Sequence, residues 1–310
     1  MKEFVVNQRL MGSSFTLGIV AENETFANTC LQYGVQEIQR LENLLSEFIP
    51  ESITSKINNH SSKEALVIER ECFELIQRSR TISVLTNGDF DITTSPFKKL
   101  YQFKNDNFVM PAAEIIQQTM EMVGYQKLKL NENQNTITKT HHDLKISFGA
   151  IGKGFAADCV KKLWLKMGVE SGFINASGDL CVFGYKADGS KWKIGIANPD
   201  QKDKILFYVP IQNAAAATSG DYEQYFIYQN IKYSHNINPK TGIPLKGVKS
   251  VSVFSPSAEL SDALATAIYV KGTRKGIEFV NQLPNTHCII ISEENKVFLS
   301  KHLNYETALI

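Results

Sequence analysis

Five short stretches combine residue types that could handle a phosphorylated ligand. The stretch ISFGAIGKGFAAD, residues 146–158, sets glycines and Lys153 ahead of a helix-like run. Glycines let backbone approach a ligand, and amides at a helix N-terminus attract anions. In ELSDALATAIYVKG, Asp262 and Thr266 are one helical turn apart and share a face. A carboxylate and a hydroxyl so placed suit a hard cation such as Mg²⁺. NGDFDITTSPF sets Asp89 and Asp91 around Phe90, followed by Thr93 and Thr94. His235 precedes a Pro-Lys-Thr-Gly turn, and AATSGDYEQYF presents Thr218, Ser219 and Gly220 between two strand-like runs. Imidazole ionises in the range that suits general acid–base work.

Each stretch also has a plain structural reading. The glycine run is equally a tight strand-to-helix turn. The Asp/Thr loop is equally a set of side-chain caps, and Thr218–Gly220 a hairpin turn. His235 is equally a satisfied structural histidine, and Asp262 an acid that stabilises a helix start. Gly152-Lys153-Gly154-Phe155-Ala156-Ala157 formally fits GxGxxA, with Asp179 at a distance suited to a ribose carboxylate. Against a dinucleotide fold, the motif sits in mid-chain and hairpins follow it. No Ser or Thr follows Lys153, so it is not a Walker A loop.

The elements that must hold these residues are read from periodicity. Strands are predicted at Phe4–Val6 and Phe15–Val20. An amphipathic helix is predicted from Thr25 to about Ile49, with Phe48 on its apolar face, then a polar loop through FIPESITSKINNHSS. A helix over ECFELIQRSRTISVLTNG stops at Asn87-Gly88, and FDITTSPFKKLYQF reads as irregular chain. Further helices fall on AAEIIQQTMEMVGY, on GKGFAADCVKKLWLKMGV with Phe155, Cys159 or Val160, Leu163 and Met167 along one side, on ELSDALATAIYVKG and on KGIEFVNQLP. Hairpin-like alternation fills KLKLNENQNTITKTHHDLKISFG and most of residues 172–255, and CIIISEENKVFLS closes the chain. Strands come in runs, which predicts an α+β fold with mixed, largely antiparallel sheets and packed helices.

The 310 residues are 43% hydrophobic with net charge +1, which supports a large core and gives no electrostatic reason to expect nucleic acid or an anionic membrane. No apolar run approaches the roughly 18 residues of a membrane span. Five scattered cysteines form no CxxC or Cys/His cluster and read as buried thiols in a reducing compartment. The N-terminus reads as a strand pair with no signal peptide or lipobox, so a cytoplasmic location is expected, or an exported lipoprotein if a leader once preceded it.

Taken in order, the stretches resemble the ApbE family of FAD:protein FMN transferases. Met11-Gly12-Ser13 resembles the family's MGT, LENLLSEFIPESITSKIN its helix with a serine-rich end, and GDFDITTSPF its G.FDpTvgPl. ISFGAIGKGFAAD resembles iDLGGIAKGyAvD, and FINASGDLCVFG resembles liniGGdi...G. ATSGDYEQYF, SHNINPKTGIP and SDALATAIYVKG resemble three further blocks. The resemblance implies one two-lobed domain over residues 1–310 with FAD between the lobes. It implies Mg²⁺-dependent transfer of FMN from FAD to a Thr or Ser hydroxyl of an acceptor protein carrying a DxxTGA[ST]-like motif, with release of AMP. FAD hydrolysis to FMN and AMP, or FAD carriage without chemistry, are the alternatives.

By the same resemblance, the metal is held by the main-chain oxygen of Ala150 and by Asp262 and Thr266. His235 is the candidate catalytic residue. FAD contacts fall on Met11, Asp89, Phe90, Asp91 and Lys153, and by extension on Thr218, Ser219 and Gly220. The chain departs from the pattern at Ser147, where the family has Asp, and at Ala265, where some members have a second Asp. No DxxTGA[ST] stretch occurs in the chain, so self-flavinylation at that motif is not expected.

Overall fold

The computed structural model describes residues 1–101, 109–221 and 225–308. The chain opens with a hairpin of β1 (Lys2–Leu10) and β2 (Ser13–Ala21), turned at Met11 and Gly12, both at positive φ. Helix α1 (Glu24–Leu45) starts at Asn23, whose side chain accepts from the Phe26 amide. Then come α2 (Ile53–Asn59), β3 (Leu66–Val67), α3 (Arg70–Leu85), α4 (Ser95–Leu100), α5 (Ala113–Met120), β4 (Leu128–Asn131) and β5 (Thr136–Lys139). The glycine stretch leads into α6 (Gly152–Lys166). A run of strands follows: β6 (Gly172–Ala176), β7 (Asp179–Phe183), β8 (Trp192–Asn198), β9 (Gln201–Ile211), β10 (Ala214–Gly220), β11 (Tyr225–Tyr228), β12 (Ile231–Ser234) and β13 (Val248–Ser255). Helices α7 (Ala258–Lys271) and α8 (Thr273–Val280) precede β14 (His287–Ser292), β15 (Val297–Leu299) and β16 (Glu306–Thr307).

Among the described residues, eight strands form one sheet in the order β1-β2-β6-β7-β10-β13-β14-β15, and every pairing in it is antiparallel. Side chains alternate across a strand, so each strand feeds two layers. Leu17, Ile19, Ile174 and Cys181 join α1 and α6 residues such as Ile38, Leu41, Val160 and Trp164 in one core. Val251, Val253 and Ile290 meet Leu264 and Ile268 of α7. Their alternates Val20, Val182, Phe254 and Ile289 meet Trp192, Ile196 and Val209 of the β16-β9-β8 sheet. The α+β, antiparallel expectation is borne out.

Several local expectations are corrected. Helix α1 ends at Leu45, and Phe48 is 87% exposed, because Ser52 and Thr54 turn the chain by bonding the carbonyls of Ser46 and Leu45. The polar loop that follows contains α2, N-capped by Ser52. The fully buried stripe of α6 runs through Phe155, Ala156, Val160 and Trp164, because Trp164 Nε1 reaches the Cys30 carbonyl at 2.7 Å; Met167 packs half-buried against the same core, and Leu163 is half-buried. The segment FDITTSPF ends in α4, with Pro96 in its first turn. The lead-in to the glycine stretch forms no strand, which removes the local context a dinucleotide fingerprint needs. No helix among the described residues is long and apolar enough to cross a membrane. The five cysteines are free, four buried and Cys159 half-buried.

Candidate functional site

The five chemical stretches meet in one cleft. Its walls include Asp89, Phe90 and Asp91 from the loop after α3, and Ala150 and Lys153 from the glycine stretch. Thr218 and Ser219 come from β10, His235 from the segment after β12, and Asp262 and Thr266 from α7. Two predicted residues lie elsewhere. Gly220 is buried at the end of β10, paired with Ser250 of β13. Met11 lines a second cleft with Glu47, Phe48 and Phe148, which adjoins the first through Ser147, Gly149 and Lys153.

Asp89 ties three site-bearing segments together. Its carboxylate accepts from Lys271 Nζ of α7 at 2.6 Å and from Lys240 Nζ of the Pro-Lys-Thr-Gly turn at 2.8 Å. Asp91 turns inward instead. Oδ1 accepts from the Thr93 amide and hydroxyl at 2.8 and 2.7 Å, and Oδ2 from the Tyr125 amide at 2.8 Å. Burial pushes the Asp91 carboxyl above the ordinary range despite these donors. Its geometry is that of a residue that shapes the loop. The loop is pinned to the glycine stretch by the Ser147 amide on the Ile92 carbonyl at 2.8 Å.

Asp262 Oδ2 accepts from the Gly154 amide at 3.1 Å. Thr266 Oγ1 lies 3.3 Å from Ser219 Oγ, and Thr218 Oγ1 lies 2.8 Å from Ser252 Oγ. This corner is made of hard oxygen donors: a carboxylate, hydroxyls on two elements and the nearby Ala150 backbone. Such a set fits Mg²⁺, which prefers few protein carboxylates and retains oxygen ligands from water or phosphate.

Lys153 is ion-paired with Asp179, whose side chain is 3% exposed. The lysine charge is therefore offset by a second cleft residue. The amides of Ile151 and Gly152 bond the Phe148 carbonyl, and that of Gly154 bonds Asp262. The expected amide cradle at the start of α6 is thus largely engaged within the protein. His235 is half-buried, held between Ser234 and Asn236, whose backbones both bond Leu245 at 2.8 and 2.9 Å.

Periodicity and motif spacing missed Lys98 and Asn236 as lining residues, and they noted Thr94, Ser147 and Asp179 without placing them on this wall. For Asp179 a signal existed in its SGD turn, where Ser177 and Gly178 both adopt positive φ.

An antiparallel α+β fold with an oxygen-lined cleft, a lysine–aspartate pair and a half-buried histidine has the features of a nucleotide-phosphate site. The ApbE family profile matches residues 11–290, and the chain belongs to the ApbE family. A Vibrio cholerae serotype O1 protein named FAD:protein FMN transferase is 28% identical over 282 residues, 88% of this chain and 84% of that one. A Buchnera aphidicola (subspecies Schizaphis graminum) protein of the same name is 30% identical over 263 residues, covering 83% and 77%. The crystal structure of the Thermotoga maritima ApbE protein matches with a TM-score of 0.89 at 27% identity over 97% of each chain. The apo Pseudomonas stutzeri flavinyl transferase ApbE matches at 0.86 and 25%, over 97% and 95%.

Proposed function

We propose that this chain is an FAD:protein FMN transferase that moves FMN from FAD to a Thr or Ser hydroxyl of an acceptor protein and releases AMP. The observation that carries this reading is the convergence of Asp262, Thr266, Ser219, Ala150, Lys153 and His235 on one cleft. The names of the relatives support it. In the reaction, the acceptor oxygen forms a bond to the FMN phosphorus of FAD. The phosphorus–oxygen bond to AMP breaks, and the acceptor proton passes to His235.

Such a transfer depends on charge neutralisation and in-line positioning. Asp262, Thr266 and the Ala150 carbonyl would hold Mg²⁺, which when bound would neutralise charge on the diphosphate. Lys153 adds positive charge at the same wall, tempered by Asp179. The imidazole of His235 lines the same cleft, and a histidine side chain suits acceptance of the hydroxyl proton. Phe90 and Ile92 keep one wall apolar.

The test uses intact-mass spectrometry of a small acceptor protein bearing DxxTGAT, incubated with this protein, FAD and Mg²⁺ while AMP is followed. The expected result is one FMN phosphodiester per acceptor with matching AMP, abolished by EDTA and reduced at least about hundredfold by His235→Ala. AMP without added mass would replace the reading with FAD hydrolysis. FAD retention with neither product would replace it with flavin carriage.

A further inference from the structure

The serine-rich segment after α1 has no part in the chemistry above, yet it builds a carboxylate into the wall between the two clefts. Glu47 lies in the turn after α1. Its Oε1 accepts from Ser147 Oγ at 2.8 Å and its Oε2 from Ser95 Oγ at 3.0 Å. Helix α2 fixes both sides of this contact. Ser55 Oγ bonds the Glu47 carbonyl at 3.4 Å, and Thr54 Oγ1 bonds the Leu45 carbonyl at 2.8 Å. Asn58 grips Ile146 through both of its side-chain atoms, Oδ1 accepting from the amide at 2.7 Å and Nδ2 donating to the carbonyl at 2.9 Å. Ser147, the next residue, faces both clefts. The position at which ApbE-like sequences carry an aspartate thus holds a hydroxyl here, and that hydroxyl aims a glutamate from another element.

We propose that Glu47 is an FAD-binding residue that replaces the missing aspartate at position 147. Its carboxylate accepts a hydrogen bond from a neutral hydroxyl or amino group of the dinucleotide. This rests on the flavin-transferase reading above. A carboxylate offers about four acceptor directions, and two serine donors leave capacity for a ligand. Its negative charge disfavours the diphosphate and selects an uncharged donor. The second cleft also presents Met11, Phe48 and Phe148, apolar groups suited to the face of a planar ring. Both halves of FAD combine a planar ring with hydroxyl or N–H donors, so the shared chemistry is a heterocycle with an adjoining donor.

The test is equilibrium titration of FAD by flavin fluorescence with the wild-type chain, Glu47→Gln and the double variant Glu47→Gln/Ser147→Asp. Hydrogen bonds to a charged group contribute about 1.5–3 kcal/mol, so Glu47→Gln should weaken FAD about tenfold or more. The double variant, with its carboxylate restored at 147, should recover to within about threefold. Competition by AMP and by riboflavin assigns the donor to whichever half loses affinity in Glu47→Gln. Unchanged binding in Glu47→Gln, or no recovery in the double variant, overturns the assignment while leaving the transferase reading intact. A wild-type chain that binds no FAD overturns both. Folding is checked by thermal melting. If Glu47→Gln does not fold, Ser147→Ala, which removes one of the donors that aim the carboxylate, is read in the same titration. A loss of about threefold supports the proposal and unchanged binding overturns it.

Discussion

The main-chain nitrogen of Gly154 donates to Oδ2 of Asp262 at 3.1 Å, and this contact is one half of a reciprocal junction. Asp158, one turn further along α6, accepts from the Ala258 and Glu259 amides at the start of α7 at 3.0 and 2.9 Å. Each helix therefore presents a carboxylate to early amides of the other, where a helix dipole favours negative charge. The junction sets the direction in which Asp262 and Thr266 face the cleft.

Gly154→Ala should break this junction. A Cβ there would lie 2.2 Å from the Ala258 carbonyl oxygen and 2.8 Å from the Glu259 nitrogen, both backbone atoms that cannot swing aside. Overpacking of this kind costs about 3 kcal/mol. Urea unfolding should show that loss, and any folded protein should be deficient in FMN transfer. A variant as stable as the wild type would mean that the two helices are not in close contact.

The cysteines give a prediction about pH. Burial pushes the Cys159 and Cys288 thiols up to about 12, and it raises Cys30, Cys72 and Cys181 as well. Only the thiolate is nucleophilic, so iodoacetamide at pH 8 should label none of the five in the native protein and all five in guanidinium. The linkage has a definite sign. A thiol whose pKa rises on folding adds stability that is complete below its ordinary value of 9.0 and lost as pH climbs through about 12. Denaturant melts should thus show falling stability above about pH 9, less steeply in Cys159→Ala.

Much of the site was legible because it depends on local rules. Asn87 and Gly88 stop α3 at positive φ, and they deliver the Asp89–Asp91 loop where the spacing implied. Asp262 and Thr266 share a face because a helix has that period. What was not legible depends on contacts between distant segments. Phe48 fits the apolar stripe of α1 by spacing, but serine bonds end the helix first. The pairing of Lys153 with Asp179 joins residues 26 positions apart, and local spacing does not show it. Glu47 carries no signal in the local sequence, since its partners Ser95 and Ser147 are far away along the chain. Periodicity carries no term for such pairs.

The Lys153–Asp179 pair can be separated by a double-mutant cycle. Asp179 is almost fully enclosed, so Lys153→Met removes the ion-pair partner of a buried carboxylate and should cost about 3 kcal/mol. Lys153→Met/Asp179→Asn should recover most of that stability, because neither partner is then charged. Affinity for ADP, read by calorimetry, should follow a different order: highest in Asp179→Asn, lower in wild type, lowest in Lys153→Met. Equal ADP affinities in all three would show that Lys153 does not face the anion.

Asp262 has both a structural and a proposed chemical part, and two substitutions pull them apart. Asp262→Ala removes the acceptor for the Gly154 amide, and a buried donor left unsatisfied costs about 1–3 kcal/mol. Asp262→Asn keeps an oxygen for that amide and should melt close to the wild type. It nonetheless removes the one carboxylate among the proposed metal donors. Lewis-acid neutralisation supplies several kcal/mol to such transfers, so FMN transfer by Asp262→Asn should fall by at least about a hundredfold. Because Thr266 and the Ala150 carbonyl remain, raising Mg²⁺ should restore part of the rate in Asp262→Asn. An Asn variant with wild-type rate would remove the carboxylate from the chemistry and leave it only as the anchor for Gly154.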